Sequence, residues 1–257
     1  MDYTKKTFKK AEMIQSLQVG LSIIEVISQK NRPLKYNDIY KELSISKNNL
    51  YKYLNTLTAL GMLHRNPFSG EYFIGPKLAE YGFQAIDQEN IIEQITPYLK
   101  QLRDETNETV LYACNTEQGP LVVKMLHNTQ TLNVGAQIGT RLPLFSSTGK
   151  LVYTYPTEIM EEWKKEEFAK LDKTQQEELL TDQAHIEQHR VAFASEPITP
   201  SVSSVAVPIL NFNQFVVGTV TVVGFTHRIP QTLDDPMTQF IKQKGMEMSS
   251  FLETSHT

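Results

Sequence analysis

The chain has 257 residues, of which 40% are hydrophobic and 21% charged, and its net charge at pH 7 is −4. This length and composition predict a globular protein of two domains, each large enough to bury a core. No run of about eighteen apolar residues occurs, which argues against a membrane span, and a single cysteine, Cys114, excludes an internal disulfide and suits a reducing cytoplasm.

The first predicted element is a helix over residues 14–29. Leu17, Leu21, Ile24 and either Ile27 or Ser28 recur at helical spacing, so this side of the helix is expected to be its apolar face.

A helix-turn-helix follows. Residues 36–43 predict a short helix, residues 44–46 a turn, and Lys47 the start of another helix, for which the hydroxyl of Ser46 is a suitable N-cap. The buried stripe of this helix is predicted to be Leu50, Tyr53, Leu54 and Leu57. Its remaining positions carry cationic, amide or phenolic groups, which reach phosphates and base edges: Lys47, Asn48, Asn49, Tyr51, Lys52 and Asn55.

A hairpin completes this region. Gly61 ends the helix, residues 62–65 and 71–74 predict two strands, and residues 66–70 predict the turn between them. The order of elements is that of a winged helix-turn-helix, which places a helix in a groove of double-stranded DNA. The expected DNA-binding residues are Ser46, Lys47, Asn48, Asn49, Tyr51, Lys52 and Arg65.

The distribution of charge supports this interpretation. Residues 1–80 contain 12 Lys and Arg against 7 Asp and Glu, a net charge of +5, so that residues 81–257 carry −9. Positive charge supplies the part of DNA affinity that does not depend on sequence. A basic head on an acidic body therefore indicates a DNA-binding module joined to a domain with a different role.

The predicted domain boundaries follow from the next segments. A helix is expected to begin at Pro76, with Leu78, Tyr81 and Phe83 on its apolar side, and the polar residues 87–90 predict a hinge. We therefore expect a DNA-binding domain at 1–75, a linker helix at 76–90 and a regulatory domain at 91–257.

The regulatory domain is predicted to be α+β, because strand and helix periodicities alternate along it. A helix over 91–106 precedes strands at 110–114 and 121–126, and residues 145–150 are expected to form a loop. Further helices are predicted at 158–168, 174–190 and 233–252, and further strands at 191–194, 202–210 and 215–225.

Over nearly its whole length the chain resembles the IclR family of bacterial transcriptional regulators. The N-terminal family pattern is matched by Leu34 to Ile39, Ser46 to Asn49, Leu54 to Leu57, Leu60 to Leu63 and Tyr72 to Leu78. The C-terminal pattern is matched by Pro97 to Leu99, Glu105 to Val110, Gly139 to Leu144, Gly149-Lys150 and Val205 to Ile209.

The resemblance implies a dimeric or tetrameric regulator, with a repressor favoured over an activator. Its GAF-like C-terminal domain would bind a small organic effector, in a pocket where Ala194 and Val223 replace an acidic and a hydroxyl residue of the family pattern. The ligand-binding residues implied by the resemblance are Ser146, Ser147, Thr148, Gly149, Ser204 and Thr221.

Competing chemistries have weaker support. Thr148-Gly149-Lys150 lacks the first glycine and the following Ser or Thr of a phosphate loop, and no Gly-x-Ser-x-Gly elbow occurs. His185 and His189 lie one helical turn apart without a second ligand pair, and Cys114 is best explained as a buried strand residue. We expect no metal or cofactor. An alternative is that the second domain is an enzyme or an interaction module that retains a vestigial winged head.

Overall fold

The structure, a computed structural model, describes residues 14–30, 32–86, 91–127, 136–155, 159–211 and 213–254. Two compact units divide the chain, Met1–Ile86 and Asp87–Thr257. The hinge predicted at 87–90 lies outside the described residues. None of the helices within the described ranges is long and apolar enough to cross a membrane.

The first unit is a winged helix-turn-helix, as predicted. Its elements in chain order are α1 (Gln15–Gln29), α2 (Tyr36–Glu42), α3 (Lys47–Ala59), β1 (Leu63–Arg65), β2 (Tyr72–Ile74) and α4 (Pro76–Ile86). Strands β1 and β2 pair antiparallel, with Leu63 opposite Ile74 and Arg65 opposite Tyr72. The core of the unit joins α1, α2 and α3 to both strands and contains Ile23, Ile27, Leu34, Ile39, Leu50, Leu54, Leu57, Leu63 and Tyr72.

The predicted apolar face of α1 is wrong in part. Leu17 and Leu21 are 61% and 51% exposed, whereas Ile23 and Ile27 are buried in the core. The helix has apolar residues on two sides, about 120° apart at 100° per residue, and periodicity alone does not decide which side packs inward. The outward side of α1 therefore presents Leu17 and Leu21 to its surroundings.

The second unit is α+β and is built on one antiparallel sheet. Its helices are α5 (Ile91–Thr106), α6 (Ser147–Thr154), α7 (Glu161–Ala169), α8 (Lys173–His189) and α9 (Pro236–Thr254). Its strands are β3 (Thr109–Thr116), β4 (Gly119–Leu126), β5 (Ala192–Ala194), β6 (Val202–Leu210) and β7 (Val216–Phe225), in the order β4-β3-β7-β6-β5.

Alternation along β6 directs its side chains to different helices. Ala206 packs with Leu151 of α6 in one buried cluster, whereas Val207 packs against α9 at Gly245, where an added Cβ would lie 2.8 Å from Val207 Cγ2. The strand is consequently buried almost throughout, from Ser203 to Leu210.

The loop predicted over residues 145–150 is wrong, because most of it belongs to α6. Ser146 is the N-cap of this helix, and Ser147, Thr148 and Gly149 form its buried first turn. Serine, threonine and glycine are weak helix formers, so their sequence suggests a loop. Packing against α8 and the sheet stabilises the helix instead.

Candidate nucleic-acid interface and ligand cavity

The start of α3 is held by two side chains of the helix-turn-helix. The Ser46 hydroxyl accepts a hydrogen bond from the Asn49 backbone N–H at 3.4 Å, as expected of an N-cap. The Tyr36 hydroxyl donates to the Lys47 carbonyl at 2.7 Å. These contacts orient the first turn of α3, and they give Ser46 a structural role.

The outward face of α3 is polar and exposed. Leu50, Leu54 and Leu57 are buried, whereas the predicted contact residues all lie on the open side of the helix: Lys47, Asn48, Asn49, Tyr51, Lys52 and Asn55. The Lys47 ammonium lies 5.6 Å from the centre of the Tyr40 ring. This face combines positive charge with amides that can each bond a base edge in two places.

The wing, which we define as residues 63–74, is anchored beside this face. The Met62 N–H donates to the Leu57 carbonyl at 2.9 Å. The exposed Arg65 guanidinium lies 5.7 Å from the Tyr72 ring centre. Burial raises the pKa of the Tyr72 phenol, Arg65 lowers it and nearby Tyr51 raises it. The wing therefore begins directly against the last turn of α3.

The second unit contains a small cavity of about 40 Å³. The first turn of α6, the ends of β3, β6 and β7, and the loop between β5 and β6 surround it. Its apolar lining consists of Leu111, Ala136, Leu142, Pro197, Ile198, Val202 and Val223. Its polar lining consists of Ser146, Ser147, Thr148, Thr199, Ser203, Ser204 and Thr221. Within the part of the chain that the structure describes, the lining carries hydroxyl groups and no charged side chain.

Two hydroxyl pairs connect α6 to the sheet beside this cavity. The Oγ atoms of Ser147 and Ser204 lie 2.8 Å apart, and the Oγ1 atoms of Thr148 and Thr221 lie 2.7 Å apart. All four side chains are buried. Each hydroxyl can donate once and accept twice, so hydrogen-bonding capacity remains for a bound molecule.

Ser146 and Gly149 shape the cavity through the backbone. The Ser146 hydroxyl donates to the Pro143 carbonyl at 2.7 Å and accepts from the Gly149 N–H at 3.0 Å. Gly149 does not line the cavity. A Cβ at this position would lie 2.2 Å from the Pro143 carbonyl oxygen, so a close backbone approach accounts for the glycine.

Several residues that line the cavity were not predicted from the sequence. Pro197, Ile198 and Thr199 belong to an irregular loop, and no periodic pattern marks them as a wall. Ala194, interpreted as a pocket position, does not line the cavity. Two residues later in the chain, the carboxylate of Glu196 accepts a hydrogen bond from the Thr226 hydroxyl at 3.3 Å.

Two ion pairs brace the elements around the cavity. Lys150 Nζ lies 2.6 Å from Asp182 Oδ2 and donates to the Phe193 carbonyl at 3.3 Å, which joins α6 to α8 and β5. Glu108 is buried at the start of β3, and its carboxylate lies 2.6 Å from Arg228 Nε. Burial raises the pKa of Glu108, and Arg228 partly opposes this effect.

The competing sites gain little support from the described residues. The rings of His185 and His189 are 4.7 Å apart, but no group of three potential metal ligands occurs in the described ranges. Burial lowers the pKa of His185. Cys114 is half-buried, and burial raises the pKa of its thiol, which disfavours the reactive thiolate.

Comparison with known proteins identifies relatives of both units. The family profile "Bacterial transcriptional regulator IclR C-terminal" matches residues 83–250, and the "IclR helix-turn-helix domain" matches residues 16–67. The HTH-type transcriptional regulator XynR of Escherichia coli is 24% identical over 93% of this chain and 98% of its own length. The DNA-binding transcriptional repressor YiaJ of E. coli is also 24% identical, over 93% of this chain and 88% of its own length.

A solved structure shares the fold. An IclR homologue from Microbacterium hydrocarbonoxydans, crystallised with 4-hydroxybenzoate, superposes with a TM-score of 0.80 at 16% identity, over 93% of this chain and 99% of its own.

Proposed function

The chain belongs to the IclR family of bacterial transcriptional regulators, which bind DNA, and from this premise we propose that it is a ligand-responsive repressor. It binds a palindromic operator as a dimer or tetramer in the bacterial cytoplasm and senses a small organic metabolite. The name of one relative, the repressor YiaJ, supports the sign of regulation.

The proposed operator contacts come from α3 and the wing. Asn48 and Asn49 lie in the first turn of α3, where residues that read base edges are concentrated. Lys47, Lys52 and Arg65 supply charge for phosphates. Ser46 contributes by capping the helix, and Tyr51 adds an exposed phenol on the same face.

The effector pocket is proposed to be the cavity beside α6. One observation carries this proposal, which is that the described lining of the cavity combines aliphatic groups with the hydroxyls of Ser147, Thr148, Ser204 and Thr221 and has no charged side chain. Such a lining suits a small, partly apolar ligand with one carboxylate, carbonyl or hydroxyl end. The 4-hydroxybenzoate in the Microbacterium homologue is a small aromatic monocarboxylate with a phenolic hydroxyl at its other end, which makes small aromatic and aliphatic monocarboxylates the first candidates.

Binding of the effector can reach the rest of the domain through α6. A ligand oxygen that accepts the proton of Ser147 or Thr148 competes for it with Ser204 or Thr221, because each hydroxyl can donate only once. The same helix is tied to α8 through Lys150 and Asp182. We propose that this competition moves α6 and changes the balance between two states of the regulator by about 1 to 3 kcal/mol, typical of coupled sites.

The test measures operator affinity of the full chain by fluorescence anisotropy, using a duplex that the protein selects from a random-sequence library. A panel of monocarboxylates that includes 4-hydroxybenzoate is then added. We expect one member to weaken DNA binding by about 5-fold to 150-fold and to be recovered unchanged. Chemical conversion of that compound would favour the enzyme alternative.

Substitutions in the lining test whether the effector binds in this cavity. Thr221→Val and Ser204→Ala should weaken binding of the active compound, measured by calorimetry, because each removes a hydroxyl from the lining. Thr238→Val is the matched control, since Thr238 is a buried threonine of α9 outside this lining. Equal affinity in the parent and both cavity variants would place the effector elsewhere.

A further inference from the structure

The tip of the wing carries an aromatic residue that is almost completely exposed. Phe68 is 98% exposed, more than any other large hydrophobic residue reported for the described ranges. Water around an exposed phenyl ring is unfavourable, and the neighbouring strand residues Leu63 and Tyr72 are buried in the core. The ring therefore has no role in stabilising the fold of this unit.

The turn holds Phe68 in a defined position. Asn66 Oδ1 accepts hydrogen bonds from the Phe68 N–H at 2.8 Å and from the Ser69 N–H at 3.1 Å. Gly70, at φ +71°, donates its N–H to the Asn66 carbonyl at 2.9 Å and closes the turn. The backbone that carries the ring is thus ordered before any partner binds, which reduces the entropy lost on binding.

The surroundings of the ring match nucleic acid. The Arg65 guanidinium lies beside the turn, with Nη2 3.5 Å from the position of a Cβ on Gly70. The acidic group of the turn, Glu71, accepts a hydrogen bond from the Ser69 hydroxyl at 2.8 Å. A cation next to an apolar tip is the combination that minor-groove proteins use, with the apolar side chain entering between base pairs and the cation near the phosphates or groove floor.

The wing cannot move independently of α3. Leu50, Leu54 and Leu57 of α3 share one core cluster with Leu63 and Tyr72 of the two wing strands. When α3 lies in a major groove, the wing tip is therefore carried to the adjoining stretch of the duplex.

We infer that Phe68 enters the minor groove beside the α3 contact and wedges between two base pairs of the operator, so that it selects for an easily unstacked step. Pyrimidine–purine steps are the most easily deformed, so specificity should arise there without a hydrogen bond to a base. This inference rests on the proposed binding of DNA through α3, and it assigns a separate contact to the wing.

The experiment uses the full chain and the library-selected duplex, with 2-aminopurine placed in turn at adenines flanking the α3 contact. The fluorescence of 2-aminopurine rises when its stacking is broken. We expect a rise at one step with the parent and none with Phe68→Ala, which should also bind about tenfold more weakly. Phe68→Leu, which keeps an apolar wedge, should retain most of the signal. Leu180→Ala, at an exposed leucine of α8, is the control and should behave as the parent.

Three outcomes would overturn the inference. They are parental affinity and fluorescence in Phe68→Ala, weaker binding with an unchanged fluorescence profile, and altered sedimentation of free Phe68→Ala, which would mean that the ring packs against a second copy of the chain. Asn48→Ala and Asn49→Ala distinguish a failure of the wedge from a failure of the proposed DNA contact through α3. Weaker binding in these variants with no effect of Phe68→Ala would leave the proposed function intact and exclude the wedge. The reverse result would support the wedge and exclude Asn48 and Asn49 as the side chains that read bases.

Discussion

Single side chains on α3 allow base reading to be separated from phosphate contact. Asn48→Ala or Asn49→Ala should cost about 1 to 3 kcal/mol of operator affinity and relax the preference at one base pair, because a bidentate amide contact with adenine is lost. The measurement is anisotropy on a set of single-base variants of the selected duplex. Unchanged affinity and base preference in both variants would contradict the assignment of α3 as the recognition helix.

The cationic residues should behave differently. Lys47→Ala, Lys52→Ala and Arg65→Ala should each weaken binding to all sequences equally, because phosphates carry no sequence information. The slope of log affinity against log salt concentration should become shallower by about one unit per variant. A change in base preference without a change in slope would show that the residue reads a base.

A buried carboxylate in the second unit predicts a dependence of stability on pH. Burial raises the pKa of Glu108 in the folded chain above its unfolded value, although Arg228 opposes the rise. Between these two values the folded state binds more protons than the unfolded state, so this contribution to stability falls as pH rises and is constant above both.

Glu108→Gln removes the titrating group. As the pH rises above the ordinary pKa of glutamate, the unfolding free energy of the parent should therefore decline relative to that of the variant. Urea unfolding at several pH values measures the difference, with Glu162→Gln on the surface of α7 as the control. If the unfolding free energies of the parent and of Glu108→Gln changed in parallel with pH, the raised pKa of Glu108 would be contradicted.

At the scale of elements, α6 depends on a close backbone approach at Gly149. In Gly149→Ala the new Cβ would lie 2.2 Å from the Pro143 carbonyl oxygen and 2.6 Å from that of Leu144, so the helix must move. We expect a loss of about 1 to 3 kcal/mol of unfolding free energy, typical of overpacking, and weaker effector binding.

Gly82→Ala is the matched control. A Cβ at Gly82, within α4, would meet no atom within 4 Å, so the variant should be neutral or more stable by about 0.5 to 1 kcal/mol. Urea unfolding of both variants tests the difference. If Gly149→Ala were as stable as the parent, the close approach would not constrain α6.

At the scale of the whole molecule, the outward apolar residues of the first unit point to assembly. Leu17 and Leu21 on α1 and Tyr81 on α4 are about half exposed or more. The side chain of Phe83, predicted on the same apolar side of α4 as Tyr81, is not among the described ones. Leu21→Glu should shift the protein toward monomers and weaken binding to a palindromic duplex, because a two-fold dimer contacts both half-sites. Sedimentation equilibrium with and without DNA measures the effect.

Leu180→Glu, at an exposed leucine of α8, is the control for added charge and should leave the assembly unchanged. A parent that is monomeric at micromolar concentration both free and on DNA would exclude the proposed dimer.

The winged unit could be predicted closely from sequence because its signals are local. The cap at Ser46, the stop at Gly61 and the hairpin turn each depend on a few neighbouring residues, and the structure confirms these elements. The inward face of α1 could not be assigned, because two apolar stripes satisfy the same period and the core selects one of them.

For the regulatory domain, the sequence predicted the elements better than it predicted the contacts between them. Periodicity and family resemblance by themselves determined its α+β class, most of its strands and the hydroxyl residues expected around a ligand. Only the tertiary structure decided that residues 147–154 form a helix, that Ser147 meets Ser204 across 57 positions of sequence, and that the loop at Pro197 lines the cavity. A cavity is defined by side chains that are distant in sequence, and their meeting depends on how helices and strands pack together.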